Sequence, residues 1–308
     1  MFIKSFLLAG VVFACAIHAA GQQTQPPQSP QTSTATTKSE SSDTVSVQQD
    51  VEYGVQAGEK LLLDLYLPTQ PSSTPRPAVV MIHGGGWDSL DKSTMRGMGN
   101  FLARSGFVAV SVNYRLLHES ENRWPAQLDD VQRAVRWLRA SAAKYNIDPD
   151  HIGAYGHSAG AQLAALLGMV DTRGNADPAL AEYSSRVQAV VDVSGPTNFV
   201  PYQGGSGDAY LANFFGGDYT KLPEVWRSAS PVFHVAKSNA PFLIVHGTQD
   251  PNVPIAQAQE LYGKLQQAGV PVNFVKLEDG HTFTTAEARH RLAAETQAFF
   301  NTYLMPNR

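Results

Sequence analysis

The residues that could do chemistry centre on Ser158, which lies in the run Gly-His-Ser-Ala-Gly at residues 156–160. A short apolar run, His151–Tyr155, precedes it, and an Ala- and Leu-rich run, Ala161–Val170, follows it. These runs predict a buried strand and a helix, so the serine would lie on a tight strand-to-helix turn with its hydroxyl exposed. The first N–H groups of such a helix point at negative charge forming near that hydroxyl. The alternative is a glycine-rich turn whose serine only caps the helix.

A serine hydroxyl is a poor nucleophile at neutral pH and needs a base to take its proton. His281 is the best candidate, because histidine titrates near neutrality and this one follows the last predicted strand. Asp250 would fix the tautomer of the imidazole, and the chain order Ser, Asp, His then matches a known arrangement. Taken singly, an Asp before Pro251 often only starts a turn or caps a helix, and a Gly-His pair in a loop is usually solvated.

Other carboxylates and histidines compete for these roles. Asp192 lies inside a predicted strand and could be a buried partner, whereas Glu278 and Asp279 are more simply turn residues. The competing histidines are His83, His157, His234, His246 and His290. No pair of them has metal-ligand spacing with a cysteine or carboxylate, so we predict neither a metal nor a cofactor.

The run His-Gly-Gly-Gly-Trp at residues 83–87 could stabilise an oxyanion. Attack on an ester carbonyl places negative charge on its oxygen, and each preorganised N–H donor contributes about 100–1,000-fold in rate. Three glycines let the backbone come within hydrogen-bond range of a substrate, and Ala159, after the serine, would donate another N–H. The alternative is a flexible glycine turn. We predict that the substrate pocket is lined by His83, Gly84, Trp87 and His157, although Trp87 could equally pack the loop.

Strands alternating with helices must position these groups. The runs Ala78–Ile82 and Phe107–Val112 lack alternation, which is typical of strands buried on both faces, and the first two strands form a hairpin around Ala57-Gly58. The predicted strands are Val45–Tyr53, Leu61–Leu67, Ala78–Ile82, Phe107–Val112, His151–Tyr155, Val187–Val193, Phe242–Val245 and Val272–Leu277. The predicted helices are Pro125–Tyr145, Ala161–Val170, Ile255–Ala268 and Ala286–Tyr303.

This pattern predicts an α/β protein with a mostly parallel, twisted, eight-stranded sheet covered by helices on both faces. Ligands bind outside the C-terminal ends of such strands. The glycine run at 84–86, Ser158, Asp250 and His281 all follow strands and would meet at that edge. Residues 196–239 lack clear periodicity, which predicts a small cap or loop excursion over the sheet.

The amino terminus indicates export. Lys4, the apolar run Phe6–Ile17 and small residues near position 20 predict a signal peptide over residues 1–20. Residues 21–44, rich in Gln, Pro, Ser and Thr, predict a disordered linker, and the folded domain then spans residues 45–308. Cys15, the single cysteine, is either removed with the signal or becomes a lipid anchor. We therefore expect a periplasmic or secreted protein without stable membrane insertion.

Composition excludes some partners. The chain of 308 residues has a net charge of −4, and its Lys and Arg residues are scattered along it rather than clustered. Nothing therefore indicates a nucleic-acid-binding surface. The expected partner is a small-molecule or polysaccharide-linked ester substrate.

In combination, the motifs resemble the esterase/lipase group of α/β-hydrolases that includes hormone-sensitive-lipase-like and bacterial feruloyl-esterase-like enzymes. The matching segments lie at residues 64–68, 83–87, 112–116, 156–160, 246–250 and 280–281. The resemblance implies the α/β-hydrolase fold, with Ser158 as nucleophile, Asp250 as acid and His281 as base. It implies that Gly85, Gly86 and Ala159 donate the N–H groups of an oxyanion hole. Whether the second donor from the glycine loop is Gly84 or Gly86 stays open. The chain lacks the long N-terminal cap and Asp-Pro-Leu-x-Asp motif of the hormone-sensitive-lipase-like members, and its Gly-Thr-Gln-Asp fits the feruloyl-esterase-like branch better.

We therefore expect a cofactor-free serine carboxylesterase acting through an acyl-enzyme on short-chain or aryl esters. The resemblance extends this to acetyl or feruloyl esters of polysaccharides. One alternative is a peptidase or amidase of the same fold, which usually needs a further domain for which the chain after Val45 leaves no room. Another is a non-catalytic binding protein, but such proteins typically lose the serine or the histidine, and both are present here.

Overall fold

A computed structural model describes residues 44–172, 177–201 and 208–305 of the chain. The predicted signal peptide, the lipidation alternative at Cys15 and, apart from Thr44, the predicted linker lie outside these residues. In the described ranges, no helix combines the length and the apolar character needed to cross a bilayer.

One eight-stranded sheet forms the centre of the fold, in the order β1-β2-β4-β3-β5-β6-β7-β8. The strands are β1 Val45–Gln56, β2 Glu59–Pro68, β3 Arg76–Ile82, β4 Val108–Val112, β5 Ile147–His157, β6 Ala189–Val193, β7 Phe242–Gly247 and β8 Val272–Leu277. Strand β2 pairs antiparallel with β1 and β4, and every other pairing is parallel. The predicted mostly parallel eight-stranded sheet is confirmed.

The β1–β2 hairpin closes at the predicted dipeptide. Ala57 has φ 50° and Gly58 has φ 82°, so both central residues adopt the left-handed conformation that two-residue hairpins prefer. From β3 onward all the strands run parallel, and consecutive strands are joined by crossovers, as parallel pairing requires.

Helices cover both faces of the sheet, as predicted. They are α1 Arg96–Arg104, α2 Ala126–Ala140, α3 Ala142–Tyr145, α4 Ala159–Leu167, α5 Ala209–Phe215, α6 Pro223–Ala229, α7 Ala256–Gln267 and α8 Ala286–Leu304. Residues of α1 and α8 bury one face, and residues of α2, α4 and α7 bury the other. Along β3, Val80 joins one core and its neighbours Val79 and Met81 join the other, because successive side chains of a strand point to opposite faces.

Two regions depart from the sequence pattern. Helix α1 was not predicted, because Gly97 and Gly99 lower its helix propensity, and packing of Leu102 and Ala103 against the sheet stabilises it instead. The aperiodic excursion at 196–239 contains α5 and α6, each of seven residues. Helices this short show too few turns for an apolar period to appear.

Candidate active site

Ser158 lies on a strained turn between β5 and α4, with φ 55° and ψ −123°. Its N–H donates to the carbonyl of Val193 at 2.8 Å, which fixes the turn to β6. A Cβ at Gly156 would collide with the backbone of Gly160, and a Cβ at Gly160 would collide with the carbonyls at the end of β3. Both glycines are therefore required by close approach of backbone, as the motif predicts.

The structure brings Ser158, His281 and Asp250 together at the C-terminal edge of the sheet. His281 Nε2 lies 2.8 Å from Ser158 Oγ, and His281 Nδ1 lies 2.7 Å from Asp250 Oδ2. Because a carboxylate only accepts, Nδ1 carries the proton and Nε2 is free to accept from the hydroxyl. The Asp250 side chain is fully buried, and the His281 side chain is 12% exposed.

Asp250 is held in its charged form by its surroundings. Burial acts to raise its pKa, but the Val253 N–H, the His281 imidazole and the Asn252 N–H outweigh burial, and the net shift of the pKa is downward. The two backbone N–H groups donate to Oδ1 at 2.8 and 2.9 Å, which leaves Oδ2 for His281. An ionised Asp250 can therefore stabilise an imidazolium at His281.

The competing carboxylates have other partners. Asp192 accepts the N–H of Gly195 through Oδ1 at 3.0 Å. Asp279 accepts the N–H groups of Thr285 and Gly280, which lower its pKa and fix the loop before α8. In the described part of the chain, Asp250 is the carboxylate that contacts the His281 ring.

The glycine loop after β3 leaves the N–H groups of Gly85 and Gly86 without a protein acceptor among the described residues. Gly85 and Gly86 have φ of 99° and 58°, values that favour glycine. The Gly85 carbonyl accepts from the N–H groups of Asp88 and Ser89, and the Gly86 carbonyl accepts from the Tyr210 hydroxyl of α5. Across the described residues, the N–H groups of Gly85, Gly86 and Ala159 donate to no protein atom. N–H groups without a protein acceptor, placed beside Ser158, could donate to an oxyanion.

A cleft of about 300 Å³ opens beside Ser158. Its apolar walls come from the glycine loop, the 196–239 excursion and the loop after β7, namely Trp87, Phe199, Leu211, Val253 and Pro254. Trp87 also packs: its ring stacks on Phe214 at 4.6 Å, and its Nε1 donates to Gln162 at 3.1 Å. The two interpretations of Trp87 left open by the sequence therefore both describe it.

The other predicted pocket residues do not line this cleft. His83, Gly84 and His157 are not among the described residues that line this cleft. His83 is buried and stacks on Tyr114 at 4.3 Å. His157 donates from Nε2 to the backbone carbonyl of His281 at 2.9 Å, and burial lowers the pKa of its imidazole.

Sequence reasoning missed the cleft residues Phe199 and Leu211 of the excursion. It also missed Tyr210, whose hydroxyl donates to the Gly86 carbonyl. The only signal was the richness of that stretch in Gly, Tyr and Phe. The described ranges contain no group of three or more His, Cys, Asp or Glu side chains placed to hold a metal ion.

A comparison with protein-family models shows to which family the chain belongs. A family model described as BD-FAE matches residues 63–265, which is more than half of the chain. The chain belongs to the BD-FAE family. The match runs from β2 into α7, so it includes Ser158 and Asp250, whereas His281 lies beyond its end.

Two relatives of this BD-FAE protein come from Mycobacterium tuberculosis (strain ATCC 25618 / H37Rv). The probable carboxylic ester hydrolase LipM is 30% identical over 266 residues, which is 82% of this chain and 61% of LipM. The esterase LipQ is 30% identical over 265 residues, with the same two coverages of 82% and 61%. The chain thus spans about three fifths of the length of these curated relatives.

Solved structures share the fold. A truncated carbohydrate esterase from gut microbiota superposes with a TM-score of 0.73 and 29% identity, covering 85% of this chain and 97% of that one. The butyrate-bound Est2 esterase of Thermogutta terrifontis gives a TM-score of 0.73 at 24% identity, covering 84% of this chain and 94% of Est2, and shows the fold alone. The fold is that of the α/β-hydrolases, and the expected resemblance to this group of esterases is confirmed.

Proposed function

We propose that the protein is a serine carboxylesterase that hydrolyses short-chain or aryl esters through an acyl-enzyme. The observation that carries this proposal is the continuous chain of contacts from Ser158 Oγ through His281 to Asp250, with donor–acceptor distances of 2.8 and 2.7 Å. The esterase names of LipM and LipQ support the same reaction class. Under this proposal Ser158 is the nucleophile, His281 the base and Asp250 the acid of a catalytic triad.

In the first half of the reaction, Ser158 Oγ attacks the ester carbonyl while its proton moves to His281 Nε2. Asp250 stabilises the imidazolium that forms, and it is suited to this because its pKa is shifted downward. The tetrahedral intermediate expels the alcohol, which takes the proton back from Nε2. A water then repeats the sequence on the acyl-enzyme, releasing the carboxylic acid and restoring Ser158.

The unpaired N–H groups of Gly85, Gly86 and Ala159 would receive the oxyanion. The carbonyls of Gly85 and Gly86 are held by hydrogen bonds from other residues, so the loop donors are oriented before substrate arrives. Such preorganised donors contribute about 100–1,000-fold each. No metal or cofactor is needed for any of these steps.

The cleft favours a compact acyl or aryl group. Its volume is about 300 Å³, and aromatic side chains of Trp87 and Phe199 form part of its wall. Similarity to a carbohydrate esterase at 29% identity supports acetyl or feruloyl esters of polysaccharides as substrates. A panel of p-nitrophenyl esters from acetyl to decanoyl, with methyl ferulate and acetylated xylan added, would test this specificity.

The decisive test compares wild-type protein with Ser158→Ala and with Ser238→Ala, a matched change at an exposed serine. We expect wild type and Ser238→Ala to hydrolyse p-nitrophenyl acetate and to be labelled by a fluorophosphonate. We expect Ser158→Ala to lose the label and at least about 10⁴-fold in kcat. A wild-type protein that shows neither turnover nor labelling contradicts the proposal.

A peptidase of the same fold is the second candidate. A relative from Pseudoxanthomonas mexicana, dipeptidyl aminopeptidase BIII, is 27% identical over 246 residues, which is 33% of that protein. The same triad could cleave amides. Faster hydrolysis of aminoacyl p-nitroanilides than of the matched p-nitrophenyl esters would favour this candidate.

We also propose export to the periplasm or the medium, supported by the charged, apolar and small-residue segments of residues 1–20. Cell fractionation with and without these residues tests export. Mass spectrometry of the mature amino terminus separates cleavage near residue 20 from lipidation at Cys15.

A further inference from the structure

Besides His281, a second histidine, His246, contacts the loop that carries Asp250. It is the fifth residue of β7 and is fully buried. Its Nε2 lies 2.9 Å from the carbonyl of Val253, across the loop of residues 247–253 that carries Asp250. The same Nε2 lies 3.3 Å from Asp250 Oδ2, the oxygen that also contacts His281.

The protonation state of His246 follows from its partners. A backbone carbonyl only accepts, so Nε2 must carry a hydrogen. The other nitrogen, Nδ1, is buried and has no hydrogen-bond partner among the described residues. A proton added there would be an unpaired buried donor on a charged ring. Burial lowers the pKa of His246, the bond to Val253 and the charge of Asp250 act to raise it, His281 adds to the lowering, and the net shift is downward. His246 is therefore an uncharged N–H donor.

The position of this donor indicates that it holds the loop that carries Asp250 in place. Asp250 Oδ1 is held by N–H groups of Asn252 and Val253, which belong to its own loop. The His246 bond to Val253 attaches that loop to the rigid end of β7. The first part of the loop is also held by the Thr248 N–H, which donates to the Leu277 carbonyl of β8. Without the His246 bond, that part would stay attached, but the segment 250–253, whose N–H groups hold Oδ1, would lose its bond to β7. Asp250 would then be held less firmly against His281.

We propose that His246 is a positioning residue for the triad acid, holding the 247–253 loop through an uncharged Nε2–H so that Asp250 Oδ2 stays on His281. This inference rests on the proposed esterase function. The inference goes beyond that function, because it predicts the effect of a residue that touches neither substrate nor Ser158.

The test uses His246→Leu, which removes the donor, and His246→Gln, whose Nε2 can place an N–H near the same carbonyl. The matched control is His290→Leu, at an exposed histidine of α8. Each full-length protein is assayed for kcat, KM and the pH profile of kcat/KM with p-nitrophenyl acetate, and each fold is checked by circular dichroism.

For His246→Leu we expect kcat to fall about tenfold, the scale of one lost hydrogen bond, with KM within about twofold of wild type. The acidic limb of kcat/KM should move to lower pH by about half a unit, because a displaced carboxylate stabilises the His281 imidazolium less. His246→Gln should restore both values to near wild type, and His290→Leu should change neither.

The inference is overturned if His246→Leu matches wild type, or if its acidic limb stays in place or moves to higher pH. It is also overturned if His246→Gln is as impaired as His246→Leu, including the case in which neither variant folds. An inactive wild-type protein refutes the esterase proposal itself and is recognised before any variant is compared.

Discussion

Replacing Asp192 with asparagine should make the protein more stable above pH 7 while changing little at pH 4. Asp192 lies inside β6 and is buried, with Oδ1 bonded to the Gly195 N–H and Oδ2 without a partner among the described residues. Burial raises the pKa of this carboxyl to about 7, and the single Gly195 bond opposes the rise only in part. Asparagine keeps the shape and the Oδ1 acceptor and cannot ionise.

The magnitude follows from linkage between protonation and folding. The unfolded pKa of aspartate is about 3.9, so the native state binds this proton about three units more tightly. An acid whose folded pKa is raised contributes stability that is fully present below the unfolded pKa and is lost as the pH rises through the folded pKa. At about 1.4 kcal/mol per unit, the wild type should lose about 4 kcal/mol relative to Asp192→Asn between pH 4 and pH 8.

Urea unfolding of both proteins at pH 4, 5, 6, 7 and 8, followed by circular dichroism, measures this difference. Other titrating groups are common to both proteins, so the difference in unfolding free energy isolates Asp192. We expect the advantage of Asp192→Asn to grow steadily from pH 4 and to level off near pH 8. Two stability curves that run parallel across this range, within about 1 kcal/mol, would refute the reasoning.

Three further predictions concern the site and its scaffold. Asp250→Asn should lower kcat for p-nitrophenyl acetate by about 10⁴-fold, because an amide can donate to His281 Nδ1 and select the wrong tautomer, and a loss below about 100-fold would contradict the assigned role. His157→Leu should lower kcat about tenfold by freeing the His281 carbonyl, while His157→Gln should retain activity, and equal kinetics of the two variants would show that this bond is unimportant. Gly156→Ala should prevent recovery of folded protein, because its Cβ would meet the backbone of α4. The control Gly263→Ala, in an open position of α7, should instead raise the free energy of unfolding by about 0.8 kcal/mol in urea titrations. A folded Gly156→Ala protein would show that the turn tolerates a side chain.

Much of the fold is local in origin and could be predicted. Apolar runs such as Ala78–Ile82 need burial on both faces, and the Ala57-Gly58 turn closes a hairpin through its own φ preferences. The glycines around Ser158 mark a strand-to-helix turn through sterics within a few residues. Helix α1 and the short helices α5 and α6 escaped prediction because tertiary packing, and not propensity or periodicity, stabilises them.

The sequence by itself determined the candidate chemistry, namely a serine on a tight turn, a glycine loop, and an aspartate and a histidine that each follow a strand. Only the tertiary structure decided which carboxylate meets His281, since Asp250 is 31 residues away in the chain and Ser158 is 123 residues away. It also placed His157 on the His281 carbonyl, His246 on the Val253 carbonyl and Tyr210 on the glycine loop. The physical reason is range: backbone preferences and burial patterns act between near neighbours in the chain, whereas a hydrogen bond between distant side chains exists only after the whole sheet has set their separation.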